Sequence, residues 1–224
     1  MTHIDDAAIG ALTAYYARVF PASGRTDTAL LDICSSWISH YPAGYTAGRI
    51  SGLGMNEAEL KRNSILSDYV VADLNATPQL PYPDATFDVV TNAVSVDYLT
   101  KPLEVMKEVQ RVLKPGGLAL MSFSNRCFPT KAIAIWTSTG DLDHIWIVGT
   151  LHACAALAQG ALQRALHLEQ LTCLGLKTDL RVAAPGAYMH FAGGFEPPEA
   201  VDISPNKGRT DPMYVVIGKK ALTA

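Results

Sequence analysis

At 224 residues, 49% of them apolar, the chain is long enough to bury a sizeable core in one α/β domain and too apolar to be disordered. A formal net charge of −3 with no basic run argues against an electrostatic nucleic-acid footprint. Cys34, Cys127, Cys154 and Cys173 form no C-x-x-C pair, the start M-T-H-I-D-D has no signal or transit character, and no apolar run reaches membrane-span length, so a cytoplasmic protein with reduced thiols is expected.

The run Asp5–Phe20 carries Ile9, Leu12, Tyr16, Val19 and Phe20 at helical spacing, with Asp5 and Asp6 at the end where the helix dipole favours acids. Pro21 closes this N-terminal helical unit, residues 1–22, and Ser23–Asp27 reads as a loop. Ala29–Cys34 is short, apolar and bounded, which predicts a buried strand; Arg49–Gly54 predicts a second. Asn56 is placed to cap a helix beginning at Glu57, and Asp68–Asp73 reads as a third strand. After the proline-punctuated loop Leu80–Asp88, Phe87–Val94 is the clearest strand of the chain. Pro102–Leu113 follows as an amphipathic helix with Leu103, Met106, Val109, Val112 and Leu113 in one stripe. Lys114–Gly117 stops it, and Gly117–Ser124 is the next strand. This alternation predicts a mostly parallel sheet with helices on both faces. Further on, Leu151–Thr172 is helical in pattern. Glu199–Ser204 and Met213–Lys219, joined by the turn-rich loop Pro205–Pro212, suggest that the sheet ends in an antiparallel pair.

Two stretches are specific: L-P-Y-P-D-A-T-F-D-V-V-T-N-A-V-S-V-D-Y-L from Leu80, and E-V-Q-R-V-L-K-P-G-G-L-A-L-M-S from Glu108. Their combination resembles the fourth-strand, helix and fifth-strand region of class I S-adenosylmethionine-dependent methyltransferases of the type 11 sort. The resemblance covers residues 30–134 and resumes from residue 193 to the C-terminus. More narrowly, L-D-I-C-S-S-W-I-S-H from Leu31 and G-L-G-M-N-E from Gly52 are similar to an uncharacterised group found in plants, algae and cyanobacteria. The resemblance implies one doubly wound, Rossmann-like α/β domain over residues 1–224. Its sheet would be seven-stranded and mostly parallel with the last strand antiparallel, its cofactor S-adenosylmethionine and its partner a small-molecule methyl acceptor. It gives no acceptor identity and no oligomeric state.

Carried over motif by motif, the resemblance puts the cofactor at the carboxyl ends of the parallel strands. The turn Asp32–Trp37 would lie beside the methionine part, but the usual D-x-G-x-G-x-G has lost every glycine. Cys34, Ser35 and Ser36 stand there instead, and the two serines are expected to turn tightly and donate to the cofactor carboxylate. In G-L-G-M-N, Gly52 to Asn56, the acid that usually grips the ribose hydroxyls is replaced by Gly54. Met55 is left to pack on the ribose or adenine, and Asn56 or Glu57 to reach a hydroxyl. Asp73 would accept from the adenine amino group with Leu74 covering the ring, and Asn92 and Ala93 would run beneath the cofactor.

Methyl transfer from a sulfonium needs in-line placement of a nucleophile and, for some acceptors, removal of its proton. Asp97 and Tyr98 directly follow the fourth strand, where a group orienting an acceptor and a wall are expected. His144 is a third catalytic candidate, beside Trp146. Asn125 and Arg126 follow the fifth strand and suit an anionic substrate group, and Tyr188 and His190 are further substrate candidates. Each has a structural alternative: a helix start, a surface loop or a core histidine. No metal site is expected, because His144 and His152 miss the i, i+4 spacing. A Cys34–Cys127 thiol pair for a soft species ranks low. Residues 150–186 read as a helical insertion, against the alternative of a last core helix at Leu151–Leu174 and a strand at Lys177–Val182. Two rival functions stand beside methyl transfer. One is a methyltransferase-like partner protein without catalysis; the other is a nicotinamide-dependent oxidoreductase, opposed by the missing G-x-G-x-x-G.

Overall fold

The computed structural model describes residues 4–155 and 194–222. The N-terminal helix α1 (Asp6–Val19) is capped by Asp5, whose carboxylate accepts from the Ala8 amide, and it buries Ala8, Leu12, Tyr15 and Tyr16 along one face. The strands are β1 (Arg25–Ile33), β2 (Ala47–Gly54), β3 (Asp68–Val71), β4 (Phe87–Ala93), β5 (Leu113–Phe123), β6 (Glu199–Asp202) and β7 (Tyr214–Lys219). They make one sheet in the order β3-β2-β1-β4-β5-β7-β6. The pairs β1/β2, β1/β4, β2/β3 and β4/β5 are parallel, and β7 is antiparallel to both β5 and β6. The expected seven-stranded, doubly wound sheet with an antiparallel ending is therefore present.

Period-two alternation splits each strand between two cores. Leu30, Ile50, Val89, Leu120 and Val215 face α1, with Tyr41 and Tyr45 packed beside it. Leu31, Ile33, Leu53, Val90, Met121 and Val216 face the other side. That side is covered by α3 (Pro102–Val112), through Val105, Met106, Val109 and Val112, and by α5 (Asp141–Cys154). Two short helices, α2 (Glu57–Leu60) and α4 (Ala134–Thr137), complete the described set. Asn56 caps α2 as expected, its amide oxygen accepting from Ala58 and Glu59.

The structure differs from the sequence reading at strand starts. β1 opens at Arg25 rather than Ala29, because Arg25 already pairs with Ala47 before the ladder shifts register. β5 opens at Leu113 rather than Gly117. Leu113 pairs with Phe87, and Gly116 and Gly117 exchange backbone bonds with Lys220, the turn being made by Gly116 at φ 77°. The crossover from β1 to β2 carries no helix; residues 34–46 form a loop. α5 runs across position 150 to Cys154, while residues 156–193, which hold the rest of the expected insertion, lie outside the described residues.

Candidate functional site

β2 and β3 lie on one side of β1 while β4 lies on the other, so the path of the chain reverses between β1 and β4. A crevice opens outside the carboxyl ends of parallel strands at such a point. A cavity of about 60 Å³ sits there, lined by Asp32, Cys34, the turn Ser35–Ile38, His40 and the end of β4, Ala93–Ser95.

Asp32 is the hub of this end. Its Oδ2 accepts from the hydroxyls of Ser35 and Ser39, both at 2.7 Å, and its Oδ1 from Thr91 at 2.9 Å. Because Thr91 and Ser39 spend their protons on Asp32, they accept in turn, Thr91 from the Tyr41 hydroxyl at 2.7 Å and Ser39 from the Asn63 amide at 2.8 Å. Every donor points inward at one buried carboxylate. Burial pushes Asp32 up to about 6, and the three hydroxyl bonds oppose that rise. The Ser35 hydroxyl is thus engaged with the protein, not available to a cofactor as expected; that of Ser36 is half-buried with no bond of this kind.

The end of β2 also differs from a ribose-gripping site. The Ser35 amide donates to the Leu53 carbonyl at 2.8 Å, so the turn stays against β2. A Cβ on Gly54 would collide with the Ser35 carbonyl oxygen and crowd Leu60; one on Gly52 would meet the Leu66 side chain. No acid fits at position 54 while this turn is in place. Asn56 is spent on the α2 cap and on Glu59, Glu57 is paired with Lys61, and Met55 is 69% exposed.

Asp73 follows β3 and accepts from the Asn75 amide through Oδ1; Leu74 is buried in the core rather than free to cover a ring. Asn75 ties this loop to the segment after β4, donating to the Tyr98 carbonyl and accepting from the Thr100 amide. Asn92 is fully buried near the end of β4, with neither side-chain amide atom hydrogen-bonded. Asp97, in a 3-10 turn spanning Val96–Tyr98, is 3% exposed, has no partner for Oδ2, and is pushed up to about 6 by burial. Tyr98 accepts from the Phe128 amide at 3.0 Å and is half-buried beside it.

Of the residues expected beyond β5, Asn125 and Arg126 are exposed, and Arg126 pairs with Asp211 at 3.4 Å. His144 is buried and its ring stacks on Trp136, centroids 3.8 Å apart. Its Nε2 lies 3.0 Å from the Trp136 carbonyl, which can only accept, so Nε2 carries the proton and Nδ1 is left as an unpartnered lone pair. Trp136 belongs to α4, which hangs on the site through the bond from the Ile133 amide to the Asp97 carbonyl. Trp146, two positions from His144, projects from the opposite side of α5. Tyr188 and His190 lie outside the described residues.

Sequence reasoning missed Thr91, Ser39, Tyr41 and Asn63. Thr91 carried one signal, a hydroxyl inside an otherwise apolar buried strand; Asn63, 6% exposed, carried none. A wider depression of about 460 Å³ lies at the opposite end of β2, but the hydroxyls of Tyr41, Tyr45 and Ser67 there are already spent on the protein. Among the described residues no cluster of three or more His, Cys, Asp or Glu could hold a metal, and no helix is long and apolar enough to cross a membrane.

The donor set can be tested against the expected cofactor. Burial pushes the Cys34 thiol up to about 12, and the negative charges of Asp32, Asp97 and Asp73 add to that rise. No Lys or Arg lines the cavity. The Asp32 carboxylate in a lining with no Lys or Arg fits a ligand bearing positive charge, as S-adenosylmethionine does on its sulfonium and amino groups. The Asp73 carboxylate fits the adenine end. The ribose position departs, because Ser35 occupies the space of the usual acid.

A family model described as a methyltransferase domain matches residues 9–121, just over half of the chain. The chain is 33% identical over 96 residues to demethylmenaquinone methyltransferase of Chlamydia trachomatis, covering 39% of this chain and 41% of that protein. It is 35% identical over 81 residues to 27-O-demethylrifamycin SV methyltransferase of Amycolatopsis mediterranei, covering 33% and 30%. The match thus spans well under half the length of these curated relatives. In fold it is similar to a methyltransferase of Aquifex aeolicus, with a TM-score of 0.53 at 12% identity over 98% of this chain and 92% of that one. With a sheet in this strand order, a crevice at its switch point and a family match running from α1 to β5, the chain belongs to the methyltransferase domain family.

Proposed function

We propose that this protein transfers a methyl group from S-adenosylmethionine to a nucleophilic atom of a small molecule. The observation that carries the reading is the crevice at the β1/β4 switch point, lined by Asp32 and the turn Cys34–Ile38 with no Lys or Arg, in a chain that the methyltransferase domain model matches from α1 to β5. When bound, the cofactor supplies an electrophilic methyl on a sulfonium. Asp73 receives the adenine amino group, and the Asn92 amide and Ala93 underlie the donor. Asp97 is the base: its unpartnered Oδ2 accepts the proton of the acceptor's hydroxyl or amine, and Tyr98 walls the acceptor in. His144 acts as a positioning residue, holding Trp136 and through α4 the Asp97 turn. Arg126, engaged with Asp211, gives little hold on an anionic group of the acceptor. The relatives named for demethylmenaquinone and 27-O-demethylrifamycin SV support a small organic acceptor. The glycine-free turn from Leu31 supports placement in the plant, algal and cyanobacterial group, and the free Cys34, Cys127 and Cys154 support a cytoplasmic setting.

Calorimetric titration with S-adenosylhomocysteine tests this. Binding at micromolar strength is expected, with Asp73→Ala weaker by about tenfold, the loss of one charge-assisted hydrogen bond. Absence of binding would overturn the reading.

A further inference from the structure

Resting on that reading, we propose that residues 35–39 form a lid over the crevice between β1 and β4, hinged at Cys34 and His40 and latched by Asn63, which lifts to admit the methyl donor. Four observations converge on it.

The cavity under this segment measures about 60 Å³, whereas pockets for ligands of nucleoside size run to about 300 Å³ and more. The segment that fills the difference is the turn itself, because Ser35, Ser36, Trp37 and Ile38 form one wall.

Backbone strain is concentrated at the same place. Four residues other than glycine among those described have positive φ, and three of them line this cavity: Cys34 at 54°, His40 at 56° and Val94 at 51°. A β-branched valine in that region is costly and persists only where surrounding structure enforces it. Cys34 and His40 bracket the lid, and Val94 faces it from the end of β4.

The flanks of the segment are fixed while its middle is held from outside. Before the hinge, Ile33 pairs with Leu53 and Asn92; after it, the His40 carbonyl accepts from the Thr13 hydroxyl of α1 and Tyr41 is bonded to Thr91. Between them, the Asn63 amide donates to both the Ser36 carbonyl and the Ser39 hydroxyl, at 3.0 and 2.8 Å. Asn63 lies beyond α2, so its two bonds tie the lid to the neighbouring crossover, and these, together with the Ser35 and Ser39 bonds to Asp32 and the Ser35 amide bond to Leu53, must break for it to move. Beneath, Asn92 is wholly buried with both side-chain amide atoms unpartnered, one residue from the cavity wall at Ala93. A buried amide with no protein partner points to a ligand that supplies one.

The test is stopped-flow mixing of the full chain with S-adenosylhomocysteine, read by tryptophan fluorescence, Trp37 being part of the lid. The observed rate of the wild type is expected to level off at high ligand concentration, at the rate of lid opening. Asn63→Ala removes one buried and one partly buried hydrogen bond and should raise that plateau about tenfold. Trp37→Phe should lose the signal while calorimetric binding persists. Should Asn63→Ala fold poorly, Ser39→Ala removes one of the two Asn63 bonds together with the lid's bond from Ser39 to Asp32 and should shift the plateau in the same direction. Binding with no plateau, or with one that neither variant moves, would overturn the lid alone. If the wild type does not bind S-adenosylhomocysteine at all, the donor assignment fails first, and the lid as its entry route fails with it.

Discussion

The carbonyl oxygen of Ser35 occupies the place where a side chain at Gly54 would begin. The serine turn and the glycine that ends β2 are therefore two halves of one substitution. A turn that keeps pairing with β2 leaves no room for an acid, and a β2 ending in glycine lets the turn stay. Gly54→Ala should force the Ser35 backbone away or strain it, at a cost of about 1–3 kcal/mol. For a chain of this size that is a fall of about 2–10 °C in melting temperature. Differential scanning calorimetry checks it; an unchanged melting temperature would mean that the turn is free to move aside.

Asp32 and Asp97 set a stability trend with pH. Both are held up to about 6 by burial, above the value of 3.8 for a free aspartate. A raised folded-state value means that their contribution is greatest below about pH 4 and is lost as pH rises through about 6. Asp68 and Glu108 are held low by Arg49 and Arg111, so their contribution is lost only as pH falls through the acid range, outside this window. Buried His152, held down to about 4, works the other way and gains stability across the same interval, so the aspartate share, on the order of 1–2 kcal/mol each between about pH 5 and pH 7, is read by urea unfolding as the difference between wild type and variant. Asp32→Asn should remove its share of the slope whatever it does to absolute stability.

Asp97→Asn tests the base. Methyl transfer should fall about 100-fold or more, with S-adenosylhomocysteine affinity changed by less than about twofold, since proton removal belongs to the acceptor's chemistry. Wild-type activity should rise with pH through about 6 as Asp97 ionises, and the variant should lack that limb. A rate unchanged by the substitution would remove Asp97 from the reaction.

Arg126→Ala tests the acceptor's charge. In the pair with Asp211 the arginine is 64% exposed and the contact is long, so its loss should cost about 0.5 kcal/mol or less. The KM for the acceptor should change by less than about threefold. A tenfold rise in KM would place an anionic group of the acceptor against this arginine.

The fold was legible wherever a pattern was local. Apolar runs gave the strands, Pro102 and its stripe gave α3, and Asn56 gave the α2 cap. Strand starts escaped because Arg25 and Leu113 are held by partners far along the chain, Ala47 and Phe87. At the site, Asp32 at the end of β1 lines the crevice, as the strand order places it. The Ser35 hydroxyl was assigned a cofactor partner, whereas the buried carboxylate three residues earlier takes it, a contact visible only once the turn has its shape. Asn63 and Tyr41 were illegible for the same reason. Their importance comes from which groups they meet across the chain, and a single amide or phenol in a sequence does not say whom it meets.

Asp5 and Asp211 exchange hydrogen bonds, each backbone amide donating to the other's carboxylate, across 206 positions of sequence. Helix α1 therefore waits for the segment just before β7 to be made before its capping residue is fully engaged. During synthesis α1 must either hold to β1 and β4 through Leu12 and Tyr16 alone or stay undocked, leaving that face of the nascent sheet bare. The clamp makes closure of this face the late event in the birth of the molecule.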